Sequence, residues 1–277
     1  MSRSSYYRHR RKQQRITNQV EQVLVLVQRV RSILPRVGVR KLYHMLQAEL
    51  KALQVGRDKL FKILKANNLL INPRRCYRQT TQSKHRFRKH KNLITTLEID
   101  RPEQVWVSDI TYLGGRKDPM YLALVTDAYS KRIMGYQVSK TLEAKHAGKA
   151  LRMAIKNRRY PNEELIHHSD RGIQYCCDSY QSVLAQGSIR CSMTESYDPY
   201  QNAVAERING ILKQEFIQDI RVDQISIMQE LIKDSIEKYN QYRPHYSNRY
   251  LTPNQMHRKQ VIKRRTFRSE KNTESSP

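Results

Sequence analysis

Apolar residues recur at helical spacing from Thr17 onward: Val20, Val23, Leu24, Val27, Val30 and Leu34 share one stripe, and Pro35 ends it. A second helix is predicted from about Gly38, with Val39, Leu42, Leu46 and Leu50 inward. A third starts near Asp58 as its cap, turns Leu60, Ile63 and Leu64 inward, and closes at Asn67-Asn68. Beyond Gln104 the period changes. VWVSDITYL (105–113), MYLALVTDAYS (120–130) and RIMGYQVS (132–139) are β-branched and aromatic runs joined by short turns, which predicts three antiparallel strands. A helix follows with Leu142, His146, Ala150, Met153 and Ala154 inward, ending before Pro161. Then come a short strand at 164–168, a helix at 178–187, a strand from Ile189 to Met193 and a long helix from Asn202. This order predicts an α/β domain, a mixed sheet with helices on both faces, preceded by an all-α region.

Charge divides the chain in the same places. Of 277 residues, 52 are Lys or Arg and 25 are Asp or Glu, a net charge of +27. Residues 1–95 hold 24 basic and 3 acidic residues, 96–257 hold 21 and 20, and 258–277 hold 7 and 2. A nearly neutral centre between basic flanks points to a polyanionic partner, because neutralising phosphates releases condensed counterions. Residues 1–15, with six basic residues and no acid, are expected as a flexible arm. Residues 16–73 form the helical region, 74–98 a basic linker, 99–257 the α/β core and 258–277 a basic tail. In the helical region a basic third helix, bearing Arg57, Lys59, Lys62 and Lys65 outward, predicts a helix-turn-helix set to enter a DNA major groove. The linker adds Arg86, Arg88 and Lys89 for the phosphate backbone; its His85 and His90 lack a Cys pair that would complete a zinc site. Apolar runs such as Val23 to Val27 are far short of the ~18 residues a membrane helix needs. No export signal is read at the N-terminus, and four cysteines without a CxxC pair fit a reducing cytosol.

Three carboxylates stand out in the core. Asp109 lies mid-strand between Val107 and Thr111, where an unpaired carboxylate is costly unless a metal or partner compensates it. Asp170 closes a strand at its carboxyl end, where α/β sheets present ligands. Glu206 sits in NAVAERINGILKQEF, opposite the stripe of Val204, Ile208, Ile211 and Leu212, with Asn202, Asn209, Gly210 and Lys213 on its own side. Taken singly, an ion pair, a turn-forming Asp and a solvated helix face would account for them equally well. Gly210, mid-helix, costs about 1 kcal/mol relative to Ala and implies a close approach.

Thirty-five residues separate Asp170 from Glu206, and Lys213 follows Glu206 by seven. With VWVSDITYL, YLALVTDAYS, IHHSDRGIQY, SMTESYDPYQNAVAERINGILKQEF and YNQYRPHYSNRYLTP, the chain resembles the OrfB-type transposases of the insertion-sequence three family over roughly residues 37–257. That resemblance implies a ribonuclease-H-like, integrase-type core with a five-stranded sheet, and metal-dependent cleavage at terminal inverted repeats followed by strand transfer. Asp109, Asp170 and Glu206 would be catalytic, holding two Mg²⁺ or Mn²⁺ ions, with Asp109 between both. Lys213 would contact the DNA end, and Asn202 and His168 are weaker positioning candidates. Double-stranded DNA, further copies of the chain and an upstream OrfA protein, separate or fused, are the implied partners, in a bacterial cytoplasm at the nucleoid. A hydrolytic nuclease on the same fold, and a DNA-binding protein without catalysis, are the competing readings. The zinc module of retroviral integrases is not implied, since its His and Cys set is missing.

Overall fold

A computed structural model describes residues 2–72, 90–113, 119–195, 202–218 and 220–258. Arg86, Arg88, Lys89, His85 and nearly all of the basic tail lie outside the described residues. The chain divides into two compact units, 1–74 and 75–277.

The first unit holds four helices: α1 (Arg3–Arg31), α2 (Val39–Met45), α3 (Gln47–Ala52) and α4 (Arg57–Ala66). The expected arm is instead helical from Arg3, continuous with the stripe that starts near Thr17. Residues 3–18 bury nothing, so propensity alone carries them: they contain no Gly or Pro, are rich in Arg and Gln, and are capped by Ser2, whose hydroxyl accepts from the Ser5 N–H at 3.3 Å. The single second helix expected from Gly38 is broken at Leu46 into α2 and α3. The cap of α4 is Gly56, and Asp58 lies inside the first turn, where its charge complements the helix dipole. Val23, Val27, Leu42, Leu46, Leu50, Leu60 and Leu64 are buried together as the core of the unit.

In the second unit, β1 (Val105–Leu113), β2 (Met120–Asp127) and β3 (Ile133–Ser139) form the expected antiparallel meander, and β4 (Ile166–Ser169) and β5 (Arg190–Met193) run parallel to β1. The order is β3-β2-β1-β4-β5, a mixed five-stranded sheet. One face packs Trp106, Ile110, Ala123, Val125 and Met134 against α5 (Ala144–Lys156), α6 (Ile173–Cys176) and α7 (Asp178–Gln186). The other face carries Val105 and Val107 under α8 (Ala203–Ile211), whose Ala205 joins them. The long helix expected from Asn202 is α8 followed by a π-helical stretch, Leu212–Ile217. Helix α9 (Ile225–Tyr242), which the pattern analysis did not name, packs on β3 and precedes the short α10 (Pro253–His257). Among the described residues no helix is long and apolar enough to cross a membrane.

Gly135 sets how closely α5 approaches the sheet. A Cβ there would lie 2.1 Å from the Ala150 carbonyl oxygen and 2.7 Å from the Ala154 nitrogen. Both are helix backbone, so a methyl group can be admitted only by lifting α5 off β3. Gly135→Ala is expected to lower unfolding stability by about 3 kcal/mol, as severe overpacking does, read from the denaturation midpoint.

Candidate active site

The sheet register brings the first two carboxylates together. Val107 pairs with His168 in the parallel β1–β4 ladder, which places Asp109 just beyond that pair on β1 and Asp170 just past the end of β4. Alternation turns Asp109 to the same face as Val105 and Val107, the face covered by α8. Asn209 of α8 donates to Asp109 Oδ2 at 2.7 Å, and Asp109 Oδ1 accepts from the Ile110 N–H at 2.8 Å. Glu206 lies one helical turn before Asn209, exposed at the rim of the same face. Asp170 Oδ1 accepts from the Gly172 N–H at 3.0 Å, the turn that aims this carboxylate past the end of β4.

The charges of the trio act on one another. Burial, then the neighbouring Asp170 charge, push the Asp109 pKa up to about 7 against the help of its hydrogen bonds, with Glu206 adding to the rise. Glu206 is raised too, by burial and by Asp170. Carboxylates crowded enough to oppose each other's ionisation are what a cation relieves. The donors are hard oxygens, and the buried Asn209 Oδ1, without a hydrogen-bond partner among the described residues, adds a fourth. The set fits a divalent ion in chemistry. Among the described residues, however, no three His, Cys, Asp or Glu side chains stand close enough to grip one.

Several neighbours differ from their expected parts. Asn202 and Asn209 were placed on the polar side with Glu206, yet both are buried. Asn202 Nδ2 donates to the Ser108 carbonyl at 3.1 Å, which braces α8 on β1. Among the described residues nothing makes the close approach expected at Gly210, since a Cβ there meets nothing within 4 Å. Lys213 is half-buried and falls in the π-helical stretch, so the two uniform α-turns assumed between it and Glu206 are interrupted. Bidentate bonds from Arg243 Nε and Nη2 to Glu215, at 2.7 and 2.6 Å, pin that wide stretch from a buried position. His168 is fully buried and shares a hydrogen bond with Ser192 at 2.9 Å, a structural histidine. His167 beside it meets Ser108 and Tyr180, and burial drops its pKa to about 3, so it stays neutral. In the helical unit Arg57, Lys59, Lys62 and Lys65 are exposed on α4; Lys59 also donates to Gln19 at 2.5 Å, and Arg57 pairs with Asp58 at 3.1 Å.

Asn209 is the site residue to which no role was given from sequence. Asn209→Ala frees Asp109 to turn and is expected to cut strand joining about 10- to 100-fold, as losing a partner of a ligating carboxylate does, with DNA binding unchanged in a gel-shift titration.

The mixed five-stranded sheet, with the family matches and relatives that follow, makes the chain a polynucleotidyl transferase of the Asp-Asp-Glu type. Integrase core domain models match residues 99–199 and 187–253. A 31 kDa protein of insertion element IS600 from Shigella sonnei is 35% identical over 251 residues, 88% of this chain and 90% of that protein. The transposase of IS904 from Lactococcus lactis is 28% identical over 72% of this chain and 85% of its own length. The InsF transposase of IS3A from Escherichia coli is 35% identical over 58% of this chain and 56% of its own. Among solved structures, the magnesium-bound HTLV-2 integrase catalytic core aligns with 57% of this chain and 97% of its own at 18% identity and a TM-score of 0.45. The chain belongs to the IS3 family of insertion-sequence transposases.

Proposed function

We propose that Asp109, Asp170 and Glu206 are the catalytic carboxylates, and that the chain cuts at the terminal inverted repeats of its element and joins the freed 3′-hydroxyl to another strand. The observation that carries this reading is the Asn209–Asp109 hydrogen bond of 2.7 Å, which fixes the Glu206 helix against the strand bearing the first aspartate. Asp109 would stand between two Mg²⁺ or Mn²⁺ ions, with Asp170 on one and Glu206 on the other. When bound, such ions activate an attacking oxygen and stabilise a leaving one at phosphorus. The chain's own part is to carry the three carboxylates on a strand, a tight turn and a helix braced against that strand.

DNA would be held elsewhere. Arg57, Lys59, Lys62 and Lys65 on α4, Lys213 on the stretch after α8, and Arg86, Arg88 and Lys89 of the basic segment 74–98 supply phosphate contacts around a nearly neutral core. Two element ends must meet, so the working form is a homo-oligomer on DNA, with the OrfA protein as upstream partner or fusion, in the bacterial cytoplasm at the nucleoid.

The test supplies Mg²⁺ and a labelled duplex carrying the element end to the purified chain, with and without OrfA. A joined product is expected. Cleavage without joining would select the hydrolytic nuclease, and binding without either reaction a DNA-binding protein alone.

A further inference from the structure

Residues 3–18 of α1 make about 24 Å of helix in which every residue is exposed, continuous with the half of the same helix that packs in the core. Their larger apolar groups, Tyr6, Tyr7 and Ile16, are spread around the axis and form no stripe. A helix of this kind needs favourable charge pairs along its surface or a partner. Its own charge pairs are unfavourable. Arg8, Arg11, Lys12 and Arg15 fall at i, i+3, i+4 and i+7, within about 100° of arc, so each has like-charged neighbours one turn away. No Asp or Glu precedes Glu21, which at 100° per residue points about 130° away from the middle of this basic stripe. The other two acids of the unit are engaged elsewhere, Glu49 with Arg29 and Asp58 with Arg57.

The stripe leads to α4. Gln19 lies one turn after Arg15, and its side-chain oxygen accepts from Lys59 Nζ at 2.5 Å. Lys59 stands with Lys62 and Lys65 among the exposed basic side chains of α4, so two basic surfaces meet at this hydrogen bond. We propose that Arg8, Arg11, Lys12 and Arg15 are a second phosphate-binding surface for duplex DNA, joined to the α4 face. The inference rests on the reading that α4 holds DNA. Phosphates supply the counter-charge that the stripe lacks within its own unit, and the three guanidinium groups can each grip a phosphate through paired N–H bonds. An anionic lipid surface fits less well, since a helix that lies in a membrane interface sinks an apolar face, and residues 3–18 have none.

The test titrates the full chain against a labelled random-sequence duplex by fluorescence anisotropy over a series of salt concentrations. The parent is compared with the fourfold variant Arg8→Gln, Arg11→Gln, Lys12→Gln and Arg15→Gln. These side chains bury nothing, so its melting temperature is expected to stay within about 2 °C of the parent. The slope of log affinity against log salt is expected to shrink by about 3 to 4, and affinity at roughly 0.15 M salt to fall on the order of 100-fold. Arg3→Gln with Arg10→Gln, on the far side of the helix, is expected to change the slope by less than about 1. A slope within about 0.5 of the parent in the fourfold variant would overturn the proposal. So would an equal loss per charge in the Arg3 and Arg10 variant, which would make net charge, not the stripe, the cause. Loss of binding to phosphatidylserine vesicles with the duplex slope retained would assign the stripe to a lipid surface instead. Lys62→Gln with Lys65→Gln tests the underlying reading by itself. A parental slope there removes DNA from α4, and with it the joined surface; a reduced slope there beside a parental one in the fourfold variant sinks the stripe alone.

Discussion

Asp109→Asn is expected to abolish strand joining, by a factor on the order of 10³ or more, equivalent to about 4 kcal/mol of transition-state stabilisation. Titration of the labelled end by gel shift should remain unchanged, because the basic residues assigned to DNA lie outside the trio. The same variant carries a signature in the protein alone. Without cation, Asp109 titrates at about 7 in the fold against 3.8 for the ordinary side chain. A carboxyl whose folded pKa is raised holds its proton where the unfolded chain has released it, so it drains stability progressively as pH climbs from about 4 to 7. Asn carries no such penalty. In the absence of divalent ions Asp109→Asn should therefore match the parent near pH 4 and exceed it by about 1–3 kcal/mol above pH 7. Activity and stability moving in opposite directions separate a site residue from a residue that merely supports the fold. Joining that survives the substitution would remove Asp109 from the chemistry.

Asp109 stands out in the sequence because a lone charge breaks an apolar alternation, and Asp170 and Glu206 because their separation matches a known spacing. The amides around them do not. Asn202 and Asn209 look polar, so periodicity assigned them to the solvent side with Glu206, yet under α8 lie the Asp109 carboxylate and the Ser108 carbonyl, which the two amides meet. Polar partners on the sheet make the buried stripe of that helix partly polar, which no one-dimensional pattern records. The π-helical stretch was invisible for a similar reason, since its wide hydrogen bonding is held by Arg243, twenty-eight residues from Glu215. Helix α9 was legible in principle: Met228, Ile232, Ile236 and Tyr239 recur at helical spacing and are all buried. Residues 3–15 failed in the other direction. With no apolar stripe to count, the reading there fell back on charge, while the helix formed on propensity and a cap.

The largest effect on stability is expected at Glu103, well away from the carboxylate trio. Glu103 is fully buried and accepts from Arg158 Nε at 3.3 Å, from the N–H groups of Arg159 and Tyr160 at 2.7 and 3.1 Å, and from His257 Nε2 at 3.2 Å. Its own N–H donates to Asp127 Oδ2 at 2.7 Å, and Ser130 bridges Asp127 to His257 Nδ1. The cluster thus ties the start of β1, the end of β2, the α5–β4 connection and α10 into one knot spanning 154 residues of sequence. Burial alone would raise the carboxyl pKa values, but hydrogen bonds from His257 and the main chain outweigh it, and both Glu103 and Asp127 are held below their usual range. His257 is shifted the other way, its burial outweighed by the two carboxylates, so it is held in the charged form to higher pH than usual. Glu103→Gln keeps the shape, removes the charge and turns an amide N–H₂ toward donors. Breaking a buried ion pair from one side costs about 3–5 kcal/mol, which for a unit of this size lowers the melting temperature by about 10 °C. The signs fix the pH window. Depressed carboxylates contribute fully above about pH 4.5 and lose that contribution as pH falls through their folded values, whereas a raised histidine contributes fully below about pH 6.5 and loses it as pH rises. The parent's excess over Glu103→Gln should therefore peak between about pH 4.5 and 6.5 and shrink on either side. A difference that stays flat from pH 4 to 8 would mean that the knot holds by shape and hydrogen bonding alone, with no net contribution from its charges.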